Sequence, residues 1–372
     1  MSRPIQLTIR IDAMRHNLSV IRERASSSRV WAVVKANAYG HGIESAVQGF
    51  AQADGLALLD LSEALRARAA GWTKPILMME GAFSADDLAI MAEHDLWTVI
   101  STPEQVEMLA RASRVPKKGW VKLNTGMNRL GLVPALDDPP WQTQLQACAP
   151  RCSEPFAFMT HFANADTPDG WQAQFTMFDK WQPRICRALG QTRAEVSMAN
   201  SAATLTLPQT HRDWVRPGIA LYGATPFSDD DAQHRAQSFG LRAAQVMESR
   251  VIAIQPIARG DAVGYGSRFT AQRDSRIGVV AIGYADGYPR AAANGTPVWV
   301  EGRVVPLAGR VSMDMITVDL TDHPAAGVGA HVECWGDHVA IDDVAQCAQT
   351  VGYELMTKVT ARVPKKVVNG QG

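Results

Sequence analysis

The chain of 372 residues carries 37 basic and 37 acidic side chains, which leaves no electrostatic footprint for nucleic acid or an anionic membrane. Its length is enough for a large core and favours two domains over one. No window approaches the roughly 18 uncharged apolar residues of a membrane helix, so the expected partner is a small molecule, with no nucleic acid and no membrane.

The N-terminal stretch Met1 to Leu18 is broken by Arg3, Arg10, Asp12 and Arg15 and holds no apolar export core. Five cysteines, Cys148, Cys152, Cys186, Cys334 and Cys347, form no Cys-x-x-Cys pair, and an odd number argues against a disulfide framework. A cytoplasmic location is the expectation. Cys148-Ala-Pro-Arg-Cys152 comes near a metal-ligand spacing without clustered histidines, so it is read as structural and no metal site is expected.

The first chemically informative segment is Trp31-Ala-Val-Val34 followed by Lys35. At the tip of a buried strand an ammonium is desolvated, its pKa falls, and the amine becomes nucleophilic, as a Schiff-base lysine must be. A lysine that leaves the strand and snorkels to solvent fits the same pattern.

Short β-rich runs then recur at Val30 to Val34, Gly55 to Leu61, Pro75 to Met79, Leu96 to Ser101, Trp120 to Leu123, Phe156 to His161, Glu195 to Met198 and Trp214 to Tyr222. Alanine-rich, helix-period stretches separate most of them. One spans Ser62 to Ala70, opened by a capping serine and ended by Gly71; another spans Ser84 to His94, with Asp86 and Asp87 in its first turn. Strands alternating with helices imply a parallel sheet, and eight such units imply a closed (β/α)8 TIM barrel, an α/β fold. Lys35, Arg129, His161, Asn200 and Arg216 all fall at or just beyond C-terminal strand ends, the face on which such barrels carry their sites. A doubly wound open sheet would need a glycine-rich phosphate turn after its first strand, and none is present.

Past the polar break Asp229-Asp230-Asp231 the pattern changes. Alternating runs at Val246 to Pro256, Arg276 to Ile282, Pro297 to Val300, Val304 to Val311, Ile316 to Leu320 and His331 to Trp335 predict a mainly β C-terminal domain with few helices. The expected division is residues 1–235 for the barrel and 236–372 for the β domain. Gly264-Tyr265-Gly266 lies in a turn, a poor place for a merely structural tyrosine.

Ala32-Val-Val-Lys35-Ala-Asn-Ala-Tyr39-Gly-His-Gly42 resembles the pyridoxal-phosphate lysine motif of the alanine racemases. The likeness continues in family order through Asn124-Thr-Gly-Met-Asn-Arg129-Leu-Gly131, His161-Phe-Ala, Asn200-Ser201, Arg216-Pro-Gly-Ile-Ala-Leu-Tyr-Gly223, Gly264-Tyr265-Gly266, Gly283-Tyr-Ala-Asp-Gly-Tyr-Pro-Arg290, Gly309-Arg-Val-Ser-Met313-Asp314 and Gly352-Tyr353-Glu354. It covers almost the whole chain.

The resemblance implies racemisation of alanine through a pyridoxal 5'-phosphate aldimine on Lys35, with Lys35 and Tyr265 as bases on opposite faces of the substrate. It implies that Arg216 faces the pyridine nitrogen; an arginine cannot accept a proton, so the ring is a weaker electron sink and leakage into transamination is suppressed. Pairing of Arg216 with a carboxylate such as Asp213 is the alternative reading of that strand end. His161 is implied to hydrogen-bond Arg216, with Asn200 in support. The phosphate is assigned to Tyr39, Tyr353, Ser201 and the amides of Gly218 and Ile219. Arg129 is assigned to the cofactor O3′ and, with the Met313 amide, to the substrate carboxylate, and Tyr284, Tyr353 and Arg290 to the entrance, whose tyrosines favour a substrate no larger than alanine. In many relatives the lysine matching Lys122 is carbamylated; here Asn124 stands where the family often has aspartate, a departure that bears on the carbamate.

Supply of D-alanine for peptidoglycan and alanine catabolism are both compatible with this likeness. A homodimer with shared sites is expected, each combining Lys35 of one chain with Tyr265 of the other. Competing activities are a serine or broad-specificity racemase, a decarboxylase, and a non-catalytic pyridoxal-phosphate carrier. Decarboxylases of this architecture generally set an acid at the pyridine nitrogen, against Arg216; barrel-only carriers need no second domain, and this chain has one bearing Tyr265.

Overall fold

A computed structural model of the chain describes residues 3–134, 139–228 and 231–370. It contains two compact units, Leu18–Ala38 with Ala46–Leu221, and Met1–Asn17 with Tyr39–Ser45 and Tyr222–Gly372.

The first unit is a closed barrel of eight parallel strands, Arg29–Val33, Gly55–Leu58, Ile76–Met78, Leu96–Ile100, Gly119–Lys122, Ala157–Met159, Val196–Ser197 and Trp214–Val215. The register runs Trp31 to Gly55, Leu56 to Ile76 and so on around, and Arg29 paired with Trp214 closes the ring. These are the eight runs expected from sequence. They are nearly uniformly buried, as strands covered on both faces must be.

Four tryptophans fill the interior: Trp31 stacks on Trp214 at 4.2 Å, and Trp97 and Trp120 meet Trp31 edge-on. Their bulk explains the glycine at position 55, where a Cβ would lie 2.0 Å from the Trp31 ring. At this end Arg29 and Lys118 both pair with Glu195, and each lies over a tryptophan, Trp214 and Trp97 respectively.

Two local expectations change. The helix Leu61–Ala69 is capped by Asp60, not Ser62: Asp60 has extended backbone (φ −98°, ψ 129°), so its carboxylate turns back to accept from the Ser62 amide at 2.7 Å. The run expected from Trp214 to Tyr222 stops at Val215 and resumes as a 3-10 turn over Ile219–Tyr222, because Pro217 has no N–H for a strand ladder. The helix Ala85–Glu93 has the Ser84 cap and a reciprocal Asp87 contact, a complete capping box.

The second unit is built on the 13-residue strand Gln245–Ile257, which pairs antiparallel with Gln6–Arg10, Ser275–Val280 and His331–Trp335. Lys365–Val368 runs parallel to Gln6–Arg10. A single cut after residue 235 therefore does not separate the two units: residues 3–17 lie with the β unit, because strand pairing recruits partners regardless of chain order. Two helices the sequence reading passed over, Ile341–Cys347 and Gly352–Lys358, complete it. Asp229 and Asp230 of the expected break lie outside the described residues, while Asp231 caps the short turn Ala232–His234. Among the described residues no helix is long and apolar enough to cross a membrane.

Candidate active site

The strand Arg29–Val33 delivers Lys35 to the C-terminal rim of the barrel, and there the backbone turns the wrong way. Ala36, Asn37, Ala38 and Tyr39 have φ of 54°, 52°, 55° and 52°, a left-handed helical turn made without glycine. L-residues in that conformation cost about 1–2 kcal/mol each, so the turn stores roughly 4–8 kcal/mol. Strain of this kind persists only where surrounding contacts impose it. Here the Ala38 amide donates to Val34 O at 2.8 Å, the Asn37 amide donates to Glu63 Oε1 at 2.6 Å, and Arg66 donates to Asn37 Oδ1 at 3.1 Å.

Burial depresses the Lys35 amine, Arg129 depresses it further, and Glu80 partly offsets them. Lys122, at the end of the strand Gly119–Lys122, is brought down to about 8 by burial, then by Arg216 and Arg129. Two lysines and two arginines thus share one rim with the Glu80 carboxylate, a donor set suited to a doubly anionic ligand. The amines of both lysines are biased toward the neutral, nucleophilic form.

Arg216 is buried beside them, only 4 % exposed. Its guanidinium donates to Ser197 Oγ and to Thr160 O, both at 2.6 Å, and more weakly to Met198 O at 3.3 Å and His161 Nδ1 at 3.4 Å. The alternative pairing with Asp213 is not made: Asp213 accepts from the Val196 amide and from Arg193. Lost hydration, then the charges of Arg216, Lys122, Arg129 and Lys35, hold His161 well below its ordinary value. It is a neutral ring accepting from Arg216.

Ser201 opens the helix Ser201–Thr206 and its Oγ accepts from the Gly218 amide at 2.8 Å and the Ala220 amide at 3.4 Å. With both acceptor positions used, the hydroxyl proton is left to donate. Asn200 is the N-cap of that helix, its side chain accepting from the Ala203 amide at 3.1 Å.

The remaining expected residues lie in the β unit. Tyr39 stacks on Tyr222 at 4.7 Å and meets Tyr353 at 5.9 Å; burial raises its phenol, which therefore stays protonated and able to donate. Tyr265 is 72 % exposed, in a turn between Gly264 (φ 71°) and Gly266 (φ 72°). Arg290 lies over the Tyr284 ring at 6.0 Å. The Tyr284 and Ala285 amides donate to the carbonyls of Ser312 and Met313, each at 3.0 Å, tying the expected entrance turn to the expected carboxylate donor. Beneath them Asp286, with no solvent exposure, pairs with Arg3 at 2.8 Å and Arg362 at 3.0 Å.

Sequence reasoning missed Glu80, Glu63, Thr160, Ser197 and Asp286. Glu80 could have been found by the signal that found Lys35, a charged residue immediately after an apolar run. Among the described residues no group of three or more histidine, cysteine or carboxylate side chains could hold a metal ion.

A barrel rim that carries two lysines of lowered pKa beside Arg129 and Arg216 can hold an anionic small molecule and offer it a nucleophilic amine. Family models described as the alanine racemase N-terminal and C-terminal domains match residues 9–226 and 244–367. The chain belongs to the alanine racemase family. The alanine racemase of Polaromonas sp. is 50 % identical over 98 % of this chain and 99 % of its own length, and that of Ralstonia nicotianae 48 % over 99 % and 96 %. Among solved structures, the biosynthetic alanine racemase of Pseudomonas aeruginosa is 41 % identical with a TM-score of 0.89, covering 99 % of this chain and 100 % of that one. The alanine racemase of Acinetobacter baumannii is 34 % identical with the same TM-score of 0.89, covering 98 % and 100 %.

Proposed function

We propose that this chain interconverts L- and D-alanine using pyridoxal phosphate held by Lys35. The observation that carries the reading is an amine of depressed pKa on a strained turn, among Lys122, Arg129 and Arg216, in a chain of this family over its whole length. The donor set fits the cofactor: a neutral-biased amine for its aldehyde, and for its phosphate the Ser201 hydroxyl and the Ile219 amide, while the Gly218 amide, which donates to Ser201 Oγ at 2.8 Å, would have to turn from that oxygen to join them. The Tyr39 and Tyr353 hydroxyls are the further phosphate donors that the family likeness implies. When bound, pyridoxal phosphate supplies an electron sink that acidifies the substrate α-carbon–hydrogen bond.

The Lys35 amine then takes or returns the α-proton on one face, and the Tyr265 phenol does so on the other. Arg216 would be the residue at the cofactor's ring nitrogen; as it offers only N–H donors it would leave that nitrogen unprotonated, which would favour reversible proton exchange over side reactions. His161 and Ser197 keep the guanidinium aimed. The planar guanidinium of Arg129 and the Met313 amide hold the substrate carboxylate. At about 8, the Lys122 amine is in part neutral near physiological pH and open to carbon dioxide; the resulting carbamate gives Arg129 an anionic partner. Tyr284 and Arg290 line the entrance.

The exposure of Tyr265 supports a homodimer in which each site is completed by Tyr265 of the partner subunit. A cytoplasmic enzyme supplying D-alanine for peptidoglycan is the physiological reading, supported by a Pseudomonas aeruginosa relative described as biosynthetic. Initial racemisation rates with alanine, serine, lysine and arginine on the cofactor-loaded chain test the substrate, with alanine expected to lead. Borohydride fixation of the cofactor should label Lys35. A label on another lysine, or no preference for alanine, overturns the proposal.

A further inference from the structure

We propose that Glu63 is the positioning residue of Lys35, acting through the backbone amide of Asn37 and not through its charge. This rests on the reading of Lys35 given above. Of the four left-handed residues only Asn37 has a side chain that tolerates the conformation readily, yet Ala36, Ala38 and Tyr39 share it. The bond from the Ala38 amide to Val34 O closes a loop that contains Lys35, so the direction of the lysine is set by whether this loop holds its hand. One face of the helix Leu61–Ala69 holds it: Glu63 Oε1 accepts from the Asn37 amide, and Arg66, one turn later, donates to Asn37 Oδ1.

The second carboxylate oxygen of Glu63 is buried and, among the described residues, has no hydrogen-bond partner. Such an arrangement costs stability, and an apolar side chain would relieve it if the bond to Asn37 served no purpose. Beyond burial, the groups that shift Lys35 are Arg129 and Glu80; Glu63 is not among them. Its influence therefore runs through the backbone.

The test uses the full chain as wild type, Glu63→Gln, Glu63→Ala and Glu63→Ala with Asn37→Gly. Two quantities are read: kcat and KM for L-alanine in cofactor-loaded protein, and the pH midpoint of Lys35 acetylation by acetic anhydride in cofactor-free protein, followed by peptide mass spectrometry. Glutamine keeps an acceptor for the amide and should hold kcat within about threefold with an unmoved midpoint. Glu63→Ala should lower kcat about tenfold or more with little change in KM, and raise the midpoint as the amine escapes to water. Glycine enters the left-handed region freely, so adding Asn37→Gly should recover about threefold or more. Should Glu63→Ala not fold, Glu63→Asp, one methylene short of the amide, takes its place. Wild-type values in the alanine variant, equal damage from glutamine, or no recovery with glycine overturns the proposal. A wild-type chain without racemase activity overturns the functional reading instead, and the acetylation midpoints still decide the role of Glu63.

Discussion

Replacing Arg216 by methionine should make the cofactor-free protein more stable while removing its activity. Arg216 is 4 % exposed and the partners of its guanidinium are neutral: a serine hydroxyl, two carbonyls and an uncharged histidine. Burial alone lowers its pKa from 12.5 to about 10. That depression corresponds to about 3 kcal/mol against the charged side chain at neutral pH, even with its hydrogen bonds in place. Methionine fills much of the same volume without the charge, but leaves the Thr160 carbonyl short of a donor at a cost of about 1–2 kcal/mol. Ser197 Oγ keeps its own bond to Trp214 O at 2.8 Å. The net gain is about 1–2 kcal/mol, or a rise in Tm of about 1–3 °C for a chain of this size. Differential scanning calorimetry must be done without cofactor, because a bound ligand stabilises by mass action. Removing the charge should also let the His161 titration, followed by NMR, move up toward its ordinary range. A folded variant whose Tm falls by more than about 4 °C, with His161 unmoved, would refute the reasoning and make Arg216 a net structural stabiliser.

Tyr265→Phe should leave α-proton exchange from one alanine enantiomer while exchange from its mirror image nearly stops; equal exchange from both in deuterated water points to a single base. Mixing Lys35→Ala and Tyr265→Phe proteins under subunit exchange should restore about a quarter of wild-type activity, since about half of randomly assorted dimers are mixed and each has one intact site of two. Activity that stays at the level of the separate mutants, with exchange verified by mass spectrometry, would place Tyr265 in its own chain's site. Kept free of carbon dioxide so that the amine is not carbamylated, Lys122 has its folded pKa lowered from 10.5 to about 8, so the unfolded chain binds the extra proton between those values and stability should rise with pH across that window; urea titrations of Lys122→Met should lack this slope. His161 is likewise depressed below 6.5, so stability should fall as pH drops below that value. Asp286→Ala should cost about 2 kcal/mol, an amount tempered by the partial exposure of Arg3 and Arg362. It should also raise KM for alanine by freeing the Tyr284 turn from Met313, whereas Asp286→Asn should do less of both.

The barrel was legible because its signals are local. Each apolar run, such as Leu96 to Ser101, is long enough for a buried strand, most are followed by helix-period alanines, and eight repeats of that unit have one compact solution. The capping of Ala85–Glu93 was legible for the same reason, since Ser84 and Asp87 lie within one turn. The cap at Asp60 was misjudged by two residues, because serine and aspartate compete for the same position and only backbone angles choose between them. The left-handed turn was invisible: Ala36-Asn37-Ala38 carries no glycine, and alanines ordinarily argue for a right-handed helix.

From the sequence alone came the family likeness, the eight strands, the lysine at a strand tip and the change to a β pattern after residue 240, all carried by motifs or periods a few residues long. The tertiary structure decided the rest. It alone added Ser197 and Thr160 to His161 as partners of Arg216 and ruled out Asp213, set Glu63 against an amide 26 residues away, and joined Arg3 to Asp286 across 283 residues. It also laid Gln6–Arg10 between Gln245–Ile257 and Lys365–Val368. Such pairings depend on which surfaces remain to be buried once the strands and helices exist, and residue spacing along the chain holds no record of that.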